Sequence, residues 1–211
     1  MSQDFTALTN LPGKLDETLA SERSALLVID MQRYFVHPDY ALGRARHQIA
    51  PDDSDAYYER VRNQVIPNIQ RLLTTFRDAD ATIVFTEFGS NREDGRDFPG
   101  WARKMNTFSQ DLVGQPMYPP FEDPSCRVDE SLAPQSGELV LQKTTSGPCN
   151  STKLDHMLRV LQIDSVVVTG VATDVCVAQT AREFGDRDFR VIVAEDACAN
   201  FDMRCHEATL D

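Results

Sequence analysis

Two stretches of this chain are apolar on successive residues rather than on alternate ones: residues 24–30, SALLVID, and residues 165–171, SVVVTGV. A strand presents successive side chains to opposite faces. Runs of this kind are therefore covered on both faces, as in the middle of a parallel sheet with helices on either side. Three further runs of strand length accompany them, at residues 81–86 (ATIVFT), 138–142 (ELVLQ) and 190–194 (RVIVA). Between the strands the apolar spacing changes to three and four. Val61, Val65, Ile69, Leu72, Leu73 and Phe76 predict a helix over residues 55–78, kinked or restarted at Pro67. Ser151 and Thr152 predict the cap of a helix whose Leu154, Met157, Leu158 and Leu161 share one face. Further helices are expected over residues 176–184 and from near Phe201. Strands alternating with helices imply parallel pairing through right-handed crossovers, so the predicted fold class is α/β with a doubly wound sheet.

At 211 residues the chain is expected to form one domain, residues 1–211, with a core that needs neither disulfides nor a metal. Residues 1–22 read as a polar surface arm. A formal net charge of −12 argues against nucleic-acid and anionic-membrane partners, which demand clustered Lys and Arg, and says little about a substrate, expected here to be a small molecule. No apolar run approaches the ~20 residues of a membrane helix. The N-terminal residues lack the basic start and apolar stretch of an export signal. Cys126, Cys149, Cys176, Cys198 and Cys205 are odd in number and include no CxxC pair, so they read as reduced thiols in a cytoplasmic protein. The stretch 88–136, rich in Gly, Pro, Asp and Arg, reads as a long irregular cover of the kind that usually serves function.

Ligands of open parallel sheets bind at the carboxyl ends of the strands, near the point where strand order reverses. That rule selects Asp30 at the end of the first strand, Lys143 after the third, and Cys176 at the start of the helix after the fourth. Together they supply an acid–base group, a cation and a nucleophile. A working cysteine needs a helix N-terminus or a cation beside it. Asp30 can take the thiol proton and return it to a departing nitrogen, and backbone N–H groups at the turn before the helix can hold an oxyanion. Each residue also has a plainer reading: a core thiol, a strand-closing turn former, an exposed lysine. Arg92 and Arg96 are candidates to pair with a substrate carboxylate or ureido oxygen, and Phe35, Phe88 and Trp101 to wall the pocket.

The segment LLVIDMQRYF around Asp30, Lys143 after LVLQ, and VVVTGVATDVCVAQTAREF around Cys176 together resemble the isochorismatase-like cysteine hydrolases, in order, from Ser24 to about Asp196. The resemblance implies a three-layer α/β/α sandwich around a mainly parallel sheet, with Asp30, Lys143 and Cys176 as the catalytic set. It implies a non-proline cis peptide between Val171 and Ala172, an oxyanion hole from the amides of Ala172 and Cys176, and a homodimer or homotetramer. The implied reaction is cleavage of a small amide, ureide or carbamoyl C–N bond through a thioester, releasing ammonia or an amine, without a cofactor. Vinyl ether hydrolysis of the isochorismatase type and a catalytically silent binding or scaffold role stay open as alternatives. Nicotinamidases of this family carry metal-binding Asp and His after the second strand. The matching residues 86–92 contain no histidine, and His37, His47, His156 and His206 lie elsewhere, so no metal site is expected. Family members usually continue beyond the helix near Phe201, so a sixth strand is expected to be missing.

Overall fold

The computed structural model describes residues 19–211, so most of the expected N-terminal arm lies outside the described residues. Five strands form one sheet: β1 (Ser24–Ile29), β2 (Thr82–Phe88), β3 (Leu139–Lys143), β4 (Ser165–Val171) and β5 (Arg190–Ala199). Their order is β3-β2-β1-β4-β5 and every pairing is parallel. Every residue of β1 and β4 is buried, as their unbroken apolar runs require. Strand order reverses beside β1: the chain steps outward through β2 to β3, then returns to place β4 on the other flank of β1.

The eight helices described are α1 (Arg33–Val36), α2 (Ala41–Ile49), α3 (Pro51–Arg60), α4 (Ile66–Asp78), α5 (Gly100–Val113), α6 (Leu154–Val160), α7 (Ala178–Gly185) and α8 (Met203–Leu210). The two faces of β1 divide the core. Leu26 and Val28 pack with residues of α2, α3 and α4, including Leu42, Tyr57, Ile69 and Leu73. Ala25, Leu27 and Ile29 pack with Leu154 and Leu158 of α6 and Phe184 of α7. Helices on both faces of the sheet make the three-layer α/β/α arrangement that the sequence implied.

Three local expectations change. The helix predicted over 55–78 starts at Pro51, and it passes Pro67 without a break. A wide π-helical turn, Val61–Val65, joins α3 to α4, with the Ile66 amide bonded to the Val61 carbonyl five residues back. This slack in the ladder lets a residue without an N–H sit in the first turn of α4. The stretch 88–136 is not irregular throughout, because α5 occupies its middle. Strand β5 runs past residue 194 to Ala199, with a register shift opposite β4 between Val168 and Gly170. No helix among the described residues is long and apolar enough to cross a membrane.

Candidate active site

The carboxyl end of the sheet gathers the three chemical residues from three strands. Asp30 follows β1 with φ 52°, a left-handed backbone more accessible to Asp than to most residues, and its side chain is fully buried. The Thr86 hydroxyl of β2 donates to its Oδ1 at 2.6 Å. Lys143 closes β3, the outermost strand on this flank, and must reach past β2 to meet Asp30, two strand spacings or ~9.5 Å away. Only a long side chain spans that gap. It crosses Phe88, with Nζ 4.8 Å from the ring centroid, and donates to Asp30 Oδ2 at 2.7 Å. The same ammonium donates to the carbonyls of Thr145 and Ser146, and stands 3.5 Å from Cys176 Sγ.

Cys176 sits inside a wide turn, Thr173–Val177, that leads into α7, so the helical segment opens at Thr173 rather than at Cys176 itself. The turn is entered through a cis peptide between Val171 and Ala172. Just before it, Gly170 adopts φ 111°, and a Cβ there would lie 2.0 Å from the Ile29 carbonyl oxygen. Only glycine lets β4 close against β1 at this level, bringing the thiol beside Asp30.

Burial dominates the electrostatics of the thiol and pushes Cys176 well above its ordinary value. Lys143 pulls it down, while the charge of Asp30 and a hydrogen bond to it push it up again. Burial alone would lower Lys143, but Asp30 and Cys176 outweigh burial and hold it above the usual lysine value. Burial and Asp30 therefore oppose ionisation of the thiol, and the Lys143 ammonium favours it. The thiol needs a base, and Asp30 is adjacent.

A second layer holds the loop that carries the two carbonyls. Glu183 of α7 is buried and accepts from the Cys149 amide at 2.9 Å and the Asn150 side chain at 2.8 Å. Gly147 lies against it so closely that a Cβ would meet the carboxylate at 2.3 Å.

Cys176 opens onto a pocket of about 240 Å³. Phe35, Phe88 and Trp101 line it as expected from the sequence, and Tyr118 joins them, its ring centroid 5.1 Å from that of Phe88. Arg92 and Arg96 do not reach it. Both pair with Asp94 within their own loop, Arg92 at 3.0 Å and Arg96 at 3.2 Å, and both side chains are largely exposed. A carboxylate two residues away already pairs with each of them. The arginine that does line the pocket is Arg46, from α2, together with Phe201 and Asn200. Sequence reasoning missed Thr86, Glu183, Arg46 and Tyr118. Thr86 alone had a signal, because it lies near the carboxyl end of a strand. The histidines are dispersed: His37 against Asp129, His47 near Asp55, His156 on α6 and His206 against Thr173. Among the described residues no cluster of His, Cys, Asp or Glu is arranged to hold a metal ion.

Comparison with known proteins identifies relatives of this fold. Ureidoacrylate amidohydrolase RutB of Yersinia enterocolitica is 30% identical over 182 residues, 82% of this chain and 74% of that protein. The protein of the same name from Serratia proteamaculans is 31% identical, over 84% of this chain and 70% of its own length. A cysteine hydrolase structure from Pseudomonas syringae pv. phaseolicola superposes with a TM-score of 0.69 at 27% identity, covering 86% of this chain and 75% of that one. N-carbamoylsarcosine amidase from Thermoplasma acidophilum gives a TM-score of 0.63 at 25% identity, covering 88% and 89%. The Isochorismatase domain pattern matches residues 24–211, every strand and helix of the sheet included, and the chain belongs to that family.

Proposed function

We propose that this protein is a cysteine-dependent amidohydrolase that cleaves a small amide, ureide or carbamoyl C–N bond and releases ammonia or an amine. The observation that carries the reading is the contiguous buried set at the pocket floor, with Lys143 Nζ 2.7 Å from Asp30 and 3.5 Å from the Cys176 sulfur. The names of the relatives support C–N chemistry over ether hydrolysis: two are ureidoacrylate amidohydrolases and one structural neighbour is an N-carbamoylsarcosine amidase. The pocket lies below the ~300–1,000 Å³ of sites for drug-sized ligands, which suits a small substrate.

Asp30 takes the thiol proton as sulfur attacks the carbonyl carbon, so the nucleophile is generated only when an electrophile is present. The carbonyl oxygen gains negative charge and is received by the amides of Ala172 and Cys176. Collapse of the tetrahedral adduct breaks the C–N bond while Asp30 returns its proton to the departing nitrogen. A thioester on Cys176 remains. Water then enters, loses a proton to Asp30 and attacks the thioester, freeing the acid and the thiol. Throughout, Lys143 keeps Asp30 and the sulfur at fixed positions and offsets whichever of them is charged. Tyr118, whose phenol burial pushes above its ordinary value, stays protonated.

The test is ammonia release from a panel of small amides, ureides and carbamoyl compounds, with intact-mass detection of acylated Cys176. Turnover that disappears in Cys176→Ala while circular dichroism stays native is the expected result. Near-normal turnover in that variant would overturn the mechanism.

A further inference from the structure

We infer that His206 is a positioning residue for this reaction: its neutral ring ties the turn carrying Cys176 to Arg60, and protonation undoes the tie. The inference rests on the cysteine reading above and adds to it a control on where the nucleophile sits.

Cys205 of α8 borders the pocket, and the next residue, His206, is buried, a titratable side chain that the mechanism leaves unused. Both of its ring nitrogens are engaged, on different elements. Nε2 is 3.2 Å from Arg60 Nη2, and Nδ1 is 2.8 Å from the Thr173 hydroxyl. A guanidinium can only donate, so Nε2 must accept, and a neutral ring then carries its proton on Nδ1. That proton is donated to Thr173 Oγ1. The neighbour thus fixes the tautomer. A second proton has no place, because it would set N–H against N–H at Nε2, beside a permanent cation.

Each end of the tie is anchored. Arg60, the last residue of α3, also donates to the carbonyls of Cys198 and Glu195 on β5 and to the Gln64 side chain. Thr173 is fully buried and opens the wide turn Thr173–Val177. It stands in the chain between Ala172 and Cys176, whose amides receive the oxyanion on the mechanism above. Wide turns of this π type are rare and appear mostly at functional sites. His206 grips this one at its first residue, from outside. The charges round the ring come from three elements. Burial and the Arg60 guanidinium hold His206 below its ordinary value, against Glu195 of β5 and Glu207 of α8, which raise it. The turn itself faces the ring with a hydroxyl. With the neutral form held, the tie is complete above about pH 6.5 and is lost as pH falls through the lower folded value.

The test uses the full chain. Side-chain nitrogen NMR, with the His206 signal identified by its loss in His206→Asn, should show the Nδ1–H tautomer and protonation only below pH 6.5. The Nε2–H tautomer, or protonation at or above that pH, would overturn the inference. Amide hydrogen exchange over residues 173–177 reads the turn itself. It should quicken in His206→Ala and stay near wild type in His206→Asn, whose amide keeps a donor toward Thr173 and does not titrate. Turnover is read with p-nitrophenyl acetate, whose leaving group departs without a proton, as the part of the rate that Cys176→Ala abolishes. At neutral pH His206→Ala should lose about 2- to 13-fold in kcat, the worth of one net hydrogen bond, with KM within about twofold, and His206→Asn should recover most of it. Acid should reproduce the loss in wild type, and the inflection should be absent from His206→Asn. Unchanged exchange or unchanged kcat in His206→Ala, or the same acid inflection in His206→Asn, would each overturn the role of His206 and leave the cysteine reading standing. With no Cys176-dependent release the cysteine reading fails, and tautomer and exchange still decide the tie. If His206→Ala does not fold, the wild-type titration and the profile of His206→Asn carry the test.

Discussion

Replacing Lys143 by Met removes one charge from a fully enclosed position 3.5 Å from the Cys176 sulfur. At that separation Coulomb's law gives about 5 kcal/mol for an effective dielectric near 20, and about 1 kcal/mol in the bulk-water limit. Ionising the thiol should therefore become harder by somewhere between about sevenfold and a few thousandfold. The sign is fixed by the geometry, because burial and Asp30 both raise the thiol and Lys143 is the group that lowers it. The assay is iodoacetamide labelling from about pH 8 to about pH 10, with mass mapping, and the exposed Cys205 as an internal reference. Lys143 stays charged across that window, since its partners outweigh burial and hold it above 10.5. For a cation raised in this way, the stabilisation is complete below the unfolded value and disappears only as pH climbs through the folded one. The variant also leaves Asp30 Oδ2 and two loop carbonyls without their donor, and breaking a buried pair costs roughly 3–5 kcal/mol, so its fold must be verified by urea titration. Labelling of Cys176 that follows the wild-type profile in a folded Lys143→Met protein would refute the coupling.

Asp30→Asn keeps the shape of the side chain and removes the base, so turnover should fall by ~100- to 10,000-fold, read as initial rates of ammonia release. Because the three groups act on one another, the double variant with Lys143→Met should be little slower than the worse single one. Glu138 is another test of charge: burial opposes its ionisation, yet Arg77, donating to both oxygens, and the Gln135 amide hold it below 4.5. Its contribution should be present above about pH 4.5 and vanish as pH falls through the lower folded value, so Glu138→Gln should destabilise near neutrality by roughly 1–2 kcal/mol and progressively less in acid, measured by urea unfolding. Light scattering at micromolar concentration should give the mass of a dimer or tetramer, as the family resemblance implied, and a monomer mass would count against it.

The parts legible in the sequence were those fixed by covalent neighbours. Unbroken apolar runs at β1 and β4 announce strands covered on both faces, and the strand-end rule then points to Asp30, Lys143 and Cys176 without knowledge of their contacts. Helix α5 escaped because its fully buried residues are Ala102 and Ser109, small side chains that leave little apolar rhythm, while Trp101, Met105 and Phe108 are partly exposed. The stop signal was there: Gly114 closes the helix in the left-handed conformation. Helix α2 hid in the same way behind Ala41, Gly43 and Ala45. Arg92 and Arg96 looked like ligands because they follow a strand end, but Asp94 decides their fate locally. Arg46 had no signal of this kind. It reaches the pocket through the packing of α2, which the order of residues does not display.

The cation of the site comes from the sheet's margin. Strand β3 pairs with β2 alone, alternates half-buried and exposed side chains before Lys143, and is moored at its start by Glu138 to Arg77 of α4. Folded proteins open locally at such edges, at far smaller free energies than global unfolding requires. Detachment of β3 would carry away Lys143 and the two carbonyls behind it, while Asp30 and Cys176 stay where the central strands hold them. On the mechanism proposed above, turnover would then be lost before the fold is.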